Sequence, residues 1–423
     1  MLGHSPGGER LPRRVAIIAG LLLAASAINY MDRQTLANAS KRVVEEFGLT
    51  NAQYGRIEQS FGLAFAAGSL FFGLLADVVS VRWLYPTALL AWSLVGFATG
   101  FARDYDDLLG YRTALGFFEA AHWPCALKTT QLLLTARGRA LGNGILQSGT
   151  SIGSIVTPVI MWWIMVRQGQ SWRLGFQLVG LVGIAWIVAW LAATRTDDFP
   201  VSGGGRGREP REPDGIGPDI DTIRRWSAVI VVVVVINTVW QILRAWIPLI
   251  LQNQYGYGET ATLWYNAAWY AVADVGCLAA GWLAWRLGEA GWSVKWSRTL
   301  TAGLCCVPCL TLLAVPWIGA GPLLLGVLLA AGAGMLGLFP IYYSFTQDIS
   351  RRRQGFVTGF TSFLGWVASA LYQHQFGKVA DATGSYTVGL AAAGGVTIVA
   401  LLAWAILWPA DRPRVDVEVE APA

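Results

Sequence analysis

The chain has 423 residues, of which 54% are apolar and 13% charged, about half the charge of an ordinary soluble domain. A soluble fold of this size would leave surplus apolar surface facing water and aggregate. That excludes a soluble enzyme and a disordered protein. The net charge of +5 is dispersed over short loops, so no nucleic-acid partner is expected. What remains is an integral membrane protein, with the lipid bilayer as its surroundings.

In chain order, a basic stretch from Arg10 to Arg14 followed by apolar residues 15–28 has the form of a cleaved signal peptide. Asn29, Tyr30, Asp32 and Arg33 prolong the same segment and more apolar segments follow, so the sequence predicts an uncleaved first span. Twelve apolar segments are expected as spans, at 13–40, 52–76, 83–101, 105–130, 138–165, 172–194, 226–253, 260–286, 297–316, 321–347, 355–378 and 386–409. Each is long enough to cross a hydrocarbon core of about 30 Å. None alternates like a lipid-facing strand, which excludes a barrel.

Between the sixth and seventh spans, residues 196–225 carry the Gly-, Pro- and charge-rich run SGGGRGREPREPDGIGPD, a linker composition that builds no core. The expected units are therefore 1–195, a linker at 196–225, and 226–423. The fifth and eleventh spans open alike, Arg137 and Arg139 before Gly142, Gly144, Gly149 and Gly153, and Arg351–Arg353 before Gly355, Gly359 and Gly365. The fold class is an all-α membrane protein of twelve transmembrane helices in two six-helix bundles, with its site at the seam. With both termini cytoplasmic, twenty of the 31 Lys and Arg residues fall on the cytoplasmic side and six on the other, as the positive-inside rule requires.

Charges inside spans are costly, at least about 2.5–3.5 kcal/mol each at the bilayer centre, and so mark function or a buried partner. Arg112 and Glu119 lie seven apart and project from one helix face. Asp32 and Arg33 are adjacent on the first span, and the four charges sum to zero when ionised. Protonating one carboxylate leaves the group at +1, ready for an organic anion, so proton and anion would cross together. The competing reading is a salt-bridge cluster that only joins spans one and four. Arg56, Glu58 and Lys128 are near span ends, where snorkelling or loop contacts are expected. Asp274 is expected in helix packing or a polar network, and Arg244, among Trp240, Gln241 and Trp246, as either a substrate contact or a structural partner. His122 is expected to pack or hydrogen-bond, and Gly149 and Gly153 to let helices approach closely. Cys306-Val-Pro-Cys309 has no second pair and reads as packing cysteines rather than a metal or redox site. With no P-loop or hydrolase motif, neither an ATP-driven pump nor a membrane enzyme is expected, and no cofactor or metal.

Gly73-LLA-Asp77-VVSV-Arg82 resembles the loop motif of the major facilitator superfamily. Asn29-YMDRQT-Leu36, Arg112-TALGFFEAAHWP and Asp381-ATGSY resemble its anion:cation symporter family, to which bacterial hexuronate and galactonate transporters belong, and the first half most resembles the hexuronate branch. The resemblance implies alternating access and uptake of organic anions with protons. It implies proton coupling by Asp32 and Glu119, a substrate-carboxylate ligand in Arg33, a substrate contact in Tyr30, and in Arg112 the partner of the acids. It also makes Asp77 and Arg82 gating-loop charges. Val78 and Ser80 depart from the loop motif, as do Phe65 and Ser362 from the Tyr and Asn of sugar-acid carriers. Gln147, Trp240, Gln241, Arg244 and Ser362 complete the candidate substrate site. The expected function is import of a sugar acid, hexuronate-like, or another organic anion, by a monomer in the cell inner membrane. An exchanger or exporter of the same fold and a non-transporting transceptor are the alternatives.

Overall fold

The structure, a computed structural model, describes residues 13–133, 136–199, 220–349 and 354–409, without the side chains of 13–15, 77, 131, 133, 136–145, 347–349 and 354–356. Most of the expected linker, Arg351–Arg353 of the eleventh span, and the side chains of Arg137, Arg139 and Asp77 thus lie outside what the structure describes. The helices are α1 (Arg13–Phe47), α2 (Asn51–Val78), α3 (Val81–Thr99), α4 (Tyr105–Glu119), α5 (His122–Leu133), α6 (Ala136–Trp162), α7 (Arg173–Ala193), α8 (Ile220–Asn253), α9 (Glu259–Glu289), α10 (Val294–Leu310), α11 (Pro322–Ile349), α12 (Gln354–Thr383) and α13 (Thr387–Leu402). Helix α8 starts inside the stretch read as linker.

The fourth expected span is two helices rather than one. Pro124 has no N–H to donate, and its ring clashes with the carbonyl four residues back, that of Ala120, so the helix breaks at Ala120–Ala121. Taking α4 and α5 as one column gives twelve. Among the described residues nine helices are long and apolar enough to cross a membrane; α3, the α4–α5 column and α12 fall short of that measure. Apolar side chains such as Leu74, Val188, Leu278 and Ile406 face outward, as a lipid-facing surface requires.

Helix ends are set locally. Thr50 caps α2 by accepting from the Gln53 amide while the Gln53 side chain accepts from the Thr50 amide, and Asp104 caps α4 by accepting from the Asp107 amide. In the interior, Gly149 and Gly153 of α6 lie against the Leu23 and Ala27 carbonyls of α1, where any Cβ would collide. This is the close approach expected of that pair.

The two halves of the chain meet chiefly through α2 on α12 and α6 on α9. These are the second with the eleventh column and the fifth with the eighth. A six-column repeat exchanges the two contacts, so the interface has the symmetry expected of a duplicated bundle.

Candidate functional site

Six charged side chains line up where the halves meet, each no more than 3% exposed. Arg33 on α1 donates from Nε to Glu119 Oε2 on α4 at 2.7 Å. Arg112 on α4 donates from Nη2 to Glu58 Oε1 on α2 at 3.4 Å. Arg244 on α8, in the other half, donates from Nη2 to Glu58 Oε2 at 2.6 Å and from Nε to Gln241 Oε1 at 2.6 Å. Phe61 separates the two ionic groups, its ring 4.4 Å from the Arg112 guanidinium and 5.7 Å from that of Arg33. Asp32, fully buried, interacts electrostatically with Glu119, Arg112 and Arg33. Neither of its carboxylate oxygens has a hydrogen-bond partner among the described residues.

One expectation needs correcting here. The sequence puts Glu58 at a span end, in loop contacts or snorkelling, yet its carboxylate is buried between two arginines. The reason is tertiary: the beginning of α2 packs under α8 and α12, so a position near the helix end lies inside the protein. Its neighbour Arg56 does behave as expected, being exposed and bonded to Gln59. Arg112 interacts electrostatically with both Asp32 and Glu119, while its hydrogen bond goes to Glu58.

The break before Pro124 leaves the Glu119 carbonyl at a helix end, where it accepts from Asn29 Nδ2 at 3.4 Å. That contact fixes α4 against the Asp32–Arg33 turn of α1. Arg33 lies in an aromatic box, 4.6 Å from the Phe65 ring, 5.1 Å from Tyr30 and 5.5 Å from Trp366 of the other half. A cation on such faces gains about 0.5–2 kcal/mol. Phe65 therefore carries a packing role that a phenol would share but a small residue would lose. His122 bridges Tyr85 (2.7 Å) and Ser26 (3.1 Å) through its two ring nitrogens.

The other candidates make their own contacts. Trp240 stacks on Trp269 with centroids 5.1 Å apart. Gln147 is exposed and bonds Thr150 on its own helix, and Ser362 is half-buried on α12. Arg82 donates to Thr196, at the start of the expected linker, and lies over Trp83 of its own half. Asp274 of α9 interacts with Ser151 of α6, across the seam between the halves. Cys306 and Cys309 are buried, with Cys309 Sγ directed at the Cys305 and Ala331 carbonyls.

At the end of the bundle where α1 gives way to α2, polar ties join the halves. Arg42 grips Glu259 with two bonds of 2.7 and 2.8 Å. Asp381 of α12 accepts from the backbone amides of Asn51 (3.0 Å) and Ala52 (2.7 Å) and from the Asn51 side chain. These amides are free donors of the first turn of α2, so one half caps a helix of the other. Gly377 makes room for it, since a Cβ there would strike the Asn51 carbonyl. Asp381→Ala is expected to lose about 0.5–2 kcal/mol of this closure, shifting the closed-to-open ratio by roughly 2- to 30-fold. Spin labels at exposed Glu45 and Ala261, read by pulsed dipolar spectroscopy, would show it as a longer-distance population.

A family model described as Major Facilitator Superfamily matches residues 13–373. The chain is 25% identical to the hexuronate transporter of Escherichia coli (strain K12), covering 95% of each chain. It is 25% identical to the D-galactonate transporter of Escherichia coli O6:H1, covering 93% of this chain and 96% of the relative. Its fold matches a crystal structure of a bacterial homolog of the human lysosomal transporter Spinster, inward-facing and unoccupied, with a TM-score of 0.71 at 17% identity over 95% of this chain and 97% of the other.

Proposed function

The chain belongs to the Major Facilitator Superfamily, a multi-pass membrane transporter and not an enzyme, and from that premise we propose that it imports a sugar acid of the hexuronate type, or a related organic anion, together with protons by alternating access. The observation that carries this reading is the buried row of three acids and three arginines. Asp32, Glu58 and Glu119 balance Arg33, Arg112 and Arg244, so the row is neutral when all six are ionised. One proton makes it +1 and one carboxylate restores neutrality, and in low dielectric an uncompensated charge is costly enough to link the two events. Arg33 Nη2, Arg112 Nε and Nη1, and Arg244 Nη1 have no hydrogen-bond partner among the described residues. They are the donors that would receive the carboxylate, with Tyr30, Phe65 and Trp366 walling the site.

The excess of Lys and Arg on the terminal side supports an inner-membrane protein with both termini cytoplasmic. The end tied by Arg42 and Asp381 then faces outward, and the arrangement is one that releases toward the cytoplasm. The relatives named for hexuronate and galactonate support an acid of this class. Calorimetric titration of the purified protein with glucuronate and galacturonate tests the reading. Affinity is expected to rise as pH falls, by up to about tenfold per unit for one linked proton. Binding that ignores pH contradicts the coupling. Binding confined to carboxylates without sugar hydroxyls contradicts the sugar acid.

A further inference from the structure

The triad Arg112–Glu58–Arg244 holds two positive charges and one negative, and it spans the seam: Glu58 and Arg112 belong to the first half of the chain and Arg244 to the second. Each Glu58 oxygen takes one arginine, at 3.4 Å and 2.6 Å. The link to Arg244 is thus the shorter, and it is an ion pair joining the halves in the middle of the protein rather than at its end. Both arginines keep N–H groups without partners among the described residues, Arg112 two nitrogens and Arg244 one. Glu58 is therefore held by a site with more donor capacity than it uses.

We propose that Glu58 is a built-in stand-in for the substrate's carboxylate. Without anion it occupies Arg244 and ties α2 to α8. An incoming carboxylate takes over Arg244, and Glu58 withdraws onto Arg112, whose unused Nε and Nη1 complete a two-bond pair within one half. The inference rests on the anion-transport reading, and it adds to it that substrate binding itself unfastens the tie between the halves. Tyr54 is the neighbour that keeps α2 in register meanwhile, donating to the Ala245 carbonyl beside Arg244 at 3.0 Å. Removing the charge of Glu58 has two consequences that a merely structural role would not combine. The empty protein loses its central tie and leaves two arginines facing one another. The site also loses an internal competitor and carries +1 with Asp32 ionised, so an anion binds without a proton.

The test uses the full chain with labels at Glu45 and Ala261, half-buried Cys277 and Cys305 being replaced by Ala. With no anion, Glu58→Gln is expected to broaden the distance distribution toward longer separations, while Glu58→Asp, which keeps the charge, stays near wild type. In titrations Glu58→Gln is expected to bind glucuronate about tenfold more tightly at neutral pH and to lose most of the pH dependence. An unchanged distance distribution in Glu58→Gln overturns the proposal whatever anion is carried. So does weaker, still pH-dependent glucuronate binding by Glu58→Gln. Absence of binding in wild type and variant alike, for glucuronate, galacturonate and lactate, instead overturns the transport reading beneath it.

Discussion

Arg33→Ala is expected to abolish anion binding and transport, with glucuronate affinity falling at least about 100-fold. Two losses add. The aromatic box of Tyr30, Phe61, Phe65 and Trp366 loses the cation around which it is arranged. Glu119 loses the donor 2.7 Å away and remains a buried carboxylate without its counter-ion, a change that costs about 3–5 kcal/mol when a buried pair is broken. Because that cost can also weaken folding, Arg33→Lys is the informative companion. It keeps the charge but not the planar fork, which both grips Glu119 and offers a free Nη2. A folded Arg33→Lys protein is expected to retain its melting temperature within a few degrees and to bind glucuronate at least tenfold more weakly. Full affinity in Arg33→Lys would remove Arg33 from the anion site.

The second large effect separates coupling from binding. Glu119→Gln keeps an oxygen that can accept from Arg33 but has no proton to exchange. Counterflow of labelled against unlabelled glucuronate, which needs only binding and the rocking of the halves, is expected to stay within about threefold of wild type. Accumulation against a gradient is expected to vanish, the internal concentration only equalling the external one. One proton per anion sustains at most about tenfold accumulation for each pH unit, so a gradient of two units gives a wide window for reading the loss. Normal accumulation by Glu119→Gln would transfer the coupling role to Asp32.

The charges at the heart of these predictions are legible from the sequence because charged groups in spans are expensive wherever they occur. Adjacency on α1 pairs Asp32 with Arg33, and a seven-residue interval on α4 puts Arg112 and Glu119 on one face. The pairing is not legible, since which arginine meets which acid is decided by the relative rotation of α1, α2, α4 and α8. Glu58 escapes for a related reason: distance from a helix end predicts exposure only where that end is wet, and the end of α2 is sealed by α8 and α12. Pro124 is visible, but the break it makes after Glu119 matters only because Asn29 is there to use the freed carbonyl. Asp381 stands out as part of a motif, whereas its capping of α2 depends on the packing of α12 across the seam.

The most direct test of proton-coupled anion import is uptake of labelled glucuronate and galacturonate into proteoliposomes under an imposed inward proton gradient. The charge arithmetic of the buried row predicts accumulation above the external concentration that collapses to equilibrium when a protonophore is added. Uptake that merely equilibrates, or that is unchanged by the protonophore, would contradict it.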